Sequence, residues 1–244
     1  MEKNMQELYN KFIELRNKGY VKSISKNRNS SGITLEYYLE TTSGDICIPD
    51  FKNIEIKCIS VYSKSKINMF SSSPDGCYIL PTQYLADNYG YPDNDFKNIN
   101  IFKGTIGIYL TKIGNFYFSI VVNNKSKRIY LKVYDKYKKF LNNDIYWDFD
   151  SIEEKLIRKM SNLAIITNYK MEKYGKIYYF YNSIKFYQLK SFNVFLLLIE
   201  KNIIKVRFNI GVYKSGYKLG KLHDHGTSFV ISDKDLVKLF DIVY

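Results

Sequence analysis

Pro49-Asp50-Phe51-Lys52-Asn53-Ile54-Glu55-Ile56-Lys57-Cys58 is the stretch on which the fold turns. From Ile54 to Cys58 apolar and charged residues alternate, the period of a half-buried strand. Successive strand side chains point to opposite faces, so Ile54, Ile56 and Cys58 enter a core while Glu55 and Lys57 emerge together on the other side. Phe51-Lys52-Asn53 is expected to turn the chain and bring Asp50 alongside Glu55. Two carboxylates that close repel each other unless a cation lies between them, and hard oxygen ligands suit Mg²⁺, which keeps several of its waters. Lys57 beside such a metal would position an attacking water and stabilise charge developing on a phosphate. Glu-x-Lys on a strand is also an ordinary surface ion pair, so the rest of the chain has to decide between the two readings.

Composition narrows the field. The 244 residues suffice for one large domain or two small ones with a buried core. An apolar content of 45% with 17% aromatics speaks against a disordered chain. A net charge of +13 points to a polyanionic partner, although AT-rich coding alone also enriches lysine. Arginines, the residues best suited to read guanine, are only Arg16, Arg28, Arg128, Arg158 and Arg207. Cys47, Cys58 and Cys77 fit no metal spacing and no disulfide framework. Met1-Glu2-Lys3-Asn4 lacks an apolar signal core, and the longest apolar run, Val194 to Ile199, is too short to span a bilayer. A cytoplasmic protein without a membrane partner is expected.

Helical spacing of Met5, Leu8, Tyr9, Phe12 and Leu15 predicts a first helix ending near Gly19. Residues 21–31, with Arg28 inside, read as a connector or as a loop touching DNA backbone. Thr34 is expected to cap a short helix carrying Leu35, Tyr38 and Leu39. Strands are expected at 46–48, 54–59 and 77–80, and irregular structure over 84–100. An antiparallel meander is expected over 106–110, 116–122 and 128–133. Ser151-x-x-Glu154 predicts a helix to about Asn162. Strands near 164–167 and 176–181, an apolar helix at 192–200, strands at 203–210 and 228–231, and a helix capped by Ser232-x-x-Asp235 complete an α/β (α+β) chain.

Three blocks in order resemble the MvaI/BcnI-type restriction endonucleases, relatives of the mismatch-repair nicking nuclease MutH. They are Arg28-x-x-x-Gly32-Ile33-Thr34-Leu35-Glu36, then Ile48-Pro49-Asp50-Phe51 with Ile54-Glu55-Ile56-Lys57, then Val206-Arg207 with His223-Asp224-His225-Gly226-Thr227-x-Phe229. The resemblance implies a PD-(D/E)xK core, a mixed β-sheet flanked by helices as in MutH, and Mg²⁺-dependent hydrolysis of DNA at a short sequence. It implies Asp50 and Glu55 as metal ligands with the Ile56 carbonyl, Lys57 as the catalytic lysine, and Glu36 as an additional acidic residue supporting the site. It further implies one chain over 1–244, with room for two lobes around a DNA cleft, about 1–150 catalytic and about 151–244 for recognition. Action as a monomer, and a DNA methyltransferase encoded nearby, belong to the same expectation. A MutH-like nicking enzyme and a catalytically inactive DNA-binding module are the alternatives.

Other candidates stand beside bland readings. His223 and His225, two apart, share a face on an extended segment; they contact base or phosphate, hydrogen-bond to backbone, or pair on a metal with Asp224. Arg207 reads a guanine or pairs with a carboxylate. Lys214, Lys218 and Lys221, interleaved with tyrosines and glycines, suit contacts to phosphate, which position rather than specify. Lys64 and Lys66 follow the catalytic strand, placed for the cleaved strand or simply solvated.

Overall fold

A computed structural model describes residues 2–27, 29–41, 48–76 and 80–244. In chain order, α1 (Lys3–Asn17), β1 (Val21–Lys22) and α2 (Ser30–Leu39) lead to β2 (Glu55–Ser60) and β3 (Ile67–Ser71). There follow α3 (Pro81–Tyr89), β4 (Tyr91–Pro92), β5 (Asn100–Ile106), β6 (Thr111–Ile113), β7 (Phe116–Asn123), β8 (Arg128–Tyr134) and β9 (Phe140–Asp148). Helix α4 (Phe149–Met160) precedes a long hairpin, β10 (Asn162–Lys173) and β11 (Lys176–Leu189). Then come α5 (Phe192–Glu200), β12 (Lys205–Val212), β13 (Leu222–Asp224), β14 (Ser228–Ile231), α6 (Leu236–Leu239) and β15 (Phe240–Ile242).

These elements sort into two compact units that interleave along the chain. One holds residues 1–65, 156–190 and 236–244; the other holds 66–155 and 191–235. The single division expected near residue 150 is therefore replaced by four crossings. The physical reason is pairing: β2 finds its partner in β10, a hundred residues on, rather than in the strand that follows it.

In the first unit the sheet runs β1-β11-β10-β2, with β15 also on β11. Strands β10 and β2 are parallel, whereas β10 and β11 form an antiparallel hairpin with a register shift after Thr167. Met5, Leu8, Phe12 and Leu15 recur at helical spacing, so α1 presents one apolar stripe. That stripe, with Leu35 and Leu39 of α2, packs on Ile56, Ala164, Ile166, Tyr179, Tyr181 and Phe186. The opposite face also buries Leu163, Ile165 and Tyr187. The pattern read at 54–58 is thus realised, with Ile56 buried on the helical side and Cys58 packed against it.

In the second unit one sheet runs β3-β14-β12-β5-β4 with β13 on β12, and β6 to β9 form a separate four-stranded meander. Aromatic rings knit its core, with Phe229 contacting Phe70, Phe195 and Trp147, and Phe102 contacting Phe118 and Phe208. Trp147, the chain's one tryptophan, is fully buried and its indole N–H donates to the Ser72 carbonyl at 3.0 Å. Ser191 caps α5 by accepting from Val194 N at 3.2 Å.

Several expectations are corrected. Thr34 lies inside α2, buried, its hydroxyl accepting from Ile24 N at 3.2 Å, so the helix starts earlier at Ser30. Residues 81–89 are helical rather than irregular, because Pro81 fits the first turn and Leu85, Ala86 and Tyr89 share a buried face. Ser151 does not cap α4, which begins at Phe149; its hydroxyl donates to Asp75 at 3.0 Å. Arg28 and most of the strands expected at 46–48 and 77–80 lie outside the described residues.

One buried carboxylate ties the loop after β12 to the segment after β4. Asp93, whose side chain is 4% exposed, accepts from the backbone N–H groups of Asp95 and Phe96 at 2.9 and 3.1 Å and pairs with Lys214. Lys214 also lies 2.9 Å from Asp95 and over the Phe96 ring. The Lys214 hydrogen bond, helped by those N–H groups, holds the Asp93 carboxyl down at about 2. A depressed carboxyl contributes stability above its unfolded value of 3.8, and that contribution is lost as pH falls towards about 2. Asp93→Asn is therefore expected to lower Tm above about pH 4 and to flatten the Tm profile between about pH 4 and 2. Thermal melts across that range check it, and a variant profile as steep as the native one would refute the assignment.

Candidate active site

A tight turn makes the site. Phe51 N donates to Ile54 O at 3.0 Å and Ile54 N to Phe51 O at 2.8 Å, with Lys52 at φ 54° between them. The chain reverses within this turn, and Asp50 Oδ2 accepts from Ile56 N at 2.9 Å. Strand β2 ends the sheet order among the described residues, so no described strand lies along its outer side. In an extended strand the N–H and C=O of one residue point to the same side. With its N–H turned to Asp50, Ile56 turns its carbonyl to that outer side too.

Glu55 sits opposite Leu163 and Lys57 opposite Ile165, both on the face of the sheet away from α1 and α2. Glu55 is 1% exposed, and its Oε1 pairs closely with the Lys57 ammonium. Its Oε2 is buried and, among the described residues, accepts no hydrogen bond; Lys159 Nζ of α4 is 3.4 Å away. Burial raises the Glu55 carboxyl above its usual range, with the Asp50 charge adding, against the lowering influence of Lys57 and Lys159. Two carboxylates and two lysines thus meet in a largely buried site. A divalent cation between Asp50 and Glu55 would relieve both the orphaned oxygen and the repulsion. Among the described residues no three His, Cys, Asp or Glu side chains cluster, so a cage supplied wholly by side chains is absent.

The sequence signalled Asp50, Glu55 and Lys57 but not Lys159, which also donates to the Ile48 carbonyl at 3.3 Å. Only the pairing of β2 with β10, just after α4, brings it here. Glu36 lies on α2, and its charge reaches Cys58 and Tyr181 on the helical side of the sheet. Burial pushes the Cys58 thiol up to about 12, and Asn168 Nδ2 lies 3.2 Å from its sulfur, so Cys58 packs rather than reacts.

In the second unit, Lys205, Arg207 and Asn209 alternate with buried Val206, Phe208 and Ile210 on β12. Arg207 lies between Thr105 of β5 and Ser228 of β14, and Asn209 opposite Lys103. Lys66 belongs to the same basic group, since burial first and then Lys205 and Arg207 lower its ammonium. His223 stacks on Tyr213 with ring centroids 4.3 Å apart and meets His225 edge-on at 4.6 Å. Partial burial, then His223 and Lys103, hold His225 below the usual histidine range, leaving it uncharged at neutral pH with one donor and one acceptor. A Cβ at Gly211 would stand 2.8 Å from Lys103 Nζ, so glycine lets that lysine cross the strand beside His225.

Arg207, His223, His225 and Lys66 thus come together as polar residues of one unit, with Lys103, Lys205 and Asn209 added by strand register. The metal reading of the histidine pair gives way, because Asp224 spends its carboxylate on Gly226 N at 2.9 Å and on the Thr227 hydroxyl at 2.9 Å. Lys214 is likewise removed from the phosphate-contact candidates by its ion pairs with Asp93 and Asp95. Lys218 lies over the rings of Tyr213 and Tyr217, and Lys221 and Lys64 are exposed. No described helix is long and apolar enough to cross a membrane.

Comparison with known proteins speaks to the whole chain. No curated protein matches it by sequence. Among solved structures, restriction endonuclease MvaI in complex with its cognate DNA substrate is 30% identical, with a TM-score of 0.92 over 99% of this chain and 98% of that one. MvaI in the absence of DNA is 29% identical, with a TM-score of 0.63 over 99% and 97%. The sequence model of the MvaI/BcnI restriction endonuclease family matches residues 9–240, a span that takes in the turn at Asp50, β2 and the face around Arg207 alike. Shared sequence and shared architecture from end to end make this chain a member of the MvaI/BcnI restriction endonuclease family.

Proposed function

We propose that this restriction endonuclease hydrolyses phosphodiester bonds of double-stranded DNA with Mg²⁺ held by Asp50, Glu55 and the Ile56 carbonyl. The observation that carries the proposal is the buried Glu55 carboxylate beside Asp50, its Oε1 on Lys57 and its Oε2 without a hydrogen bond, 3.4 Å from Lys159. Bound there, Mg²⁺ would supply Lewis-acid stabilisation of the charge that builds on the phosphate. Lys57, fixed by Glu55, donates towards the attacking water and the phosphate oxygens. Lys159 favours the ionised form of the Glu55 carboxylate, and Glu36, by its place in the matching block, supports the site through a metal-bound water or a lysine. Arg207, His223 and His225 read base edges, while Lys64, Lys66, Lys218 and Lys221 touch phosphates. Arg28 remains part of that proposed contact set by its place in the matching block alone. The lobe of 1–65, 156–190 and 236–244 is assigned catalysis and that of 66–155 and 191–235 recognition. A nearby methyltransferase and monomeric action complete the reading.

Asp50→Ala and Lys57→Ala should each lower cleavage of phage DNA by at least about a hundredfold while specific binding survives. EDTA should abolish cutting by the native protein. Discrete fragments made without metal, or by Lys57→Ala at the native rate, would sink the assignment. Arg207→Ala should cost about 1–3 kcal/mol of discrimination at one base pair. Sequencing of fragment ends would show relaxed choice at that position, and an unchanged cut pattern would exclude Arg207 from base reading.

A further inference from the structure

The face of the sheet that carries Glu55 and Lys57 does not stop at the catalytic residues. Register places Lys57, Ile165 and Lys185 in one row across β2, β10 and β11. Beyond Thr167 and Ser183 the same face continues along the hairpin, past the last residue of β2, to Lys173 and Lys176 at its tip. Lys22 of β1 joins it opposite Tyr178. Lys22, Lys173, Lys176 and Lys185 are all exposed. The hairpin's one acidic residue, Glu172, falls on the alternate positions and so on the opposite face.

Between these lysines lies an aromatic band. Tyr169 stacks on Phe180 with rings 13° from parallel; Tyr62 packs edge-on against Tyr169 at 5.9 Å and Tyr20 against Phe180 at 5.6 Å. Tyr62 is 77% exposed and Tyr20 46%. So large an apolar surface left open, ringed by one sign of charge, marks a binding face rather than a core. Its lysines and phenolic hydroxyls are the donors that sugar-phosphate backbones take.

From the geometry we infer that this strip holds the DNA duplex flanking the cleavage site, on the catalytic unit itself. The inference rests on the endonuclease reading and extends it away from the target sequence. From the row of Lys57 to the tip is eight residues of strand, about 26 Å at about 3.3 Å each, or roughly eight base pairs at 3.4 Å. Base choice plays no part here, so the strip adds affinity on any flanking sequence.

The experiment uses duplexes built on the sequence that the native protein is found to cut in phage DNA, with 3 or 12 base pairs on either side. Binding is measured with Ca²⁺ in place of Mg²⁺, and cutting with Mg²⁺. The native protein is expected to bind the long duplex about tenfold or more tighter at 0.1 M salt. Lys173→Gln/Lys176→Gln, at an exposed tip where folding is unaffected, should lose most of that advantage. Its slope of log K against log salt on the long duplex should be shallower by about 2. Its single-turnover cutting rate at saturating DNA should stay native, and Lys173→Arg/Lys176→Arg should restore the advantage. A native protein indifferent to flank length, or a glutamine variant that keeps the full advantage, overturns the inference while leaving the endonuclease reading intact. Failure of the native protein to cut any DNA overturns both.

Discussion

Glu55 is a carboxylate that the fold takes out of water, and much of the first unit is arranged around that cost. Burying an isolated charge is prohibitive unless it is paired and hydrogen-bonded. Here one oxygen has Lys57 two residues along the strand, and the other has Lys159 at 3.4 Å with no hydrogen bond among the described residues. Burial, with the Asp50 charge adding, leaves the carboxyl raised in spite of Lys57 and Lys159. Sites that store such an imbalance are typically where chemistry occurs. The tight turn at 51–54, the place of β2 at the end of the described sheet order and the parallel neighbour β10 all serve to hold this one group in place.

Much of this was legible one residue at a time. Alternation at 54–58 assigned the two faces of β2 correctly because strand periodicity is purely local. The turn before it followed from the need to bring Asp50 back, and the backbone bond from Ile56 N to Asp50 closes it. The helical stripe of α1 and the apolar helix α5 are local patterns too. What escaped was everything set by register at long range. Lys159 meets Glu55 only because β10 pairs with β2, and Lys103 meets His225 only because β5 pairs with β12. Lys214 looked like one more loop lysine until Asp93 and Asp95, over a hundred residues earlier, were found beside it. A lysine's partner is a tertiary fact, and sequence reports only its charge.

The second unit shows how a lysine-rich chain with few arginines still concentrates specific chemistry. Its exposed loops carry lysines that contact anything negative, whereas Arg207 is placed mid-sheet between β5 and β14, where backbone on both sides fixes its direction. Rigid strands hold a planar fork better than a loop does. The histidines are steadied differently, by stacking on Tyr213 and by Asp224, which locks the turn that follows.

The wide separation of β2 from its neighbour also bears on how the protein is born. Residues 55–60 leave the ribosome early, but the strand they pair with, 162–168, is made roughly a hundred residues later. Synthesis proceeds at about 5–20 residues per second, so β2 waits for seconds without a sheet to lie on. During that interval a half-made chain therefore carries Asp50, Glu55 and Lys57 without the pairing that sets them beside Lys159.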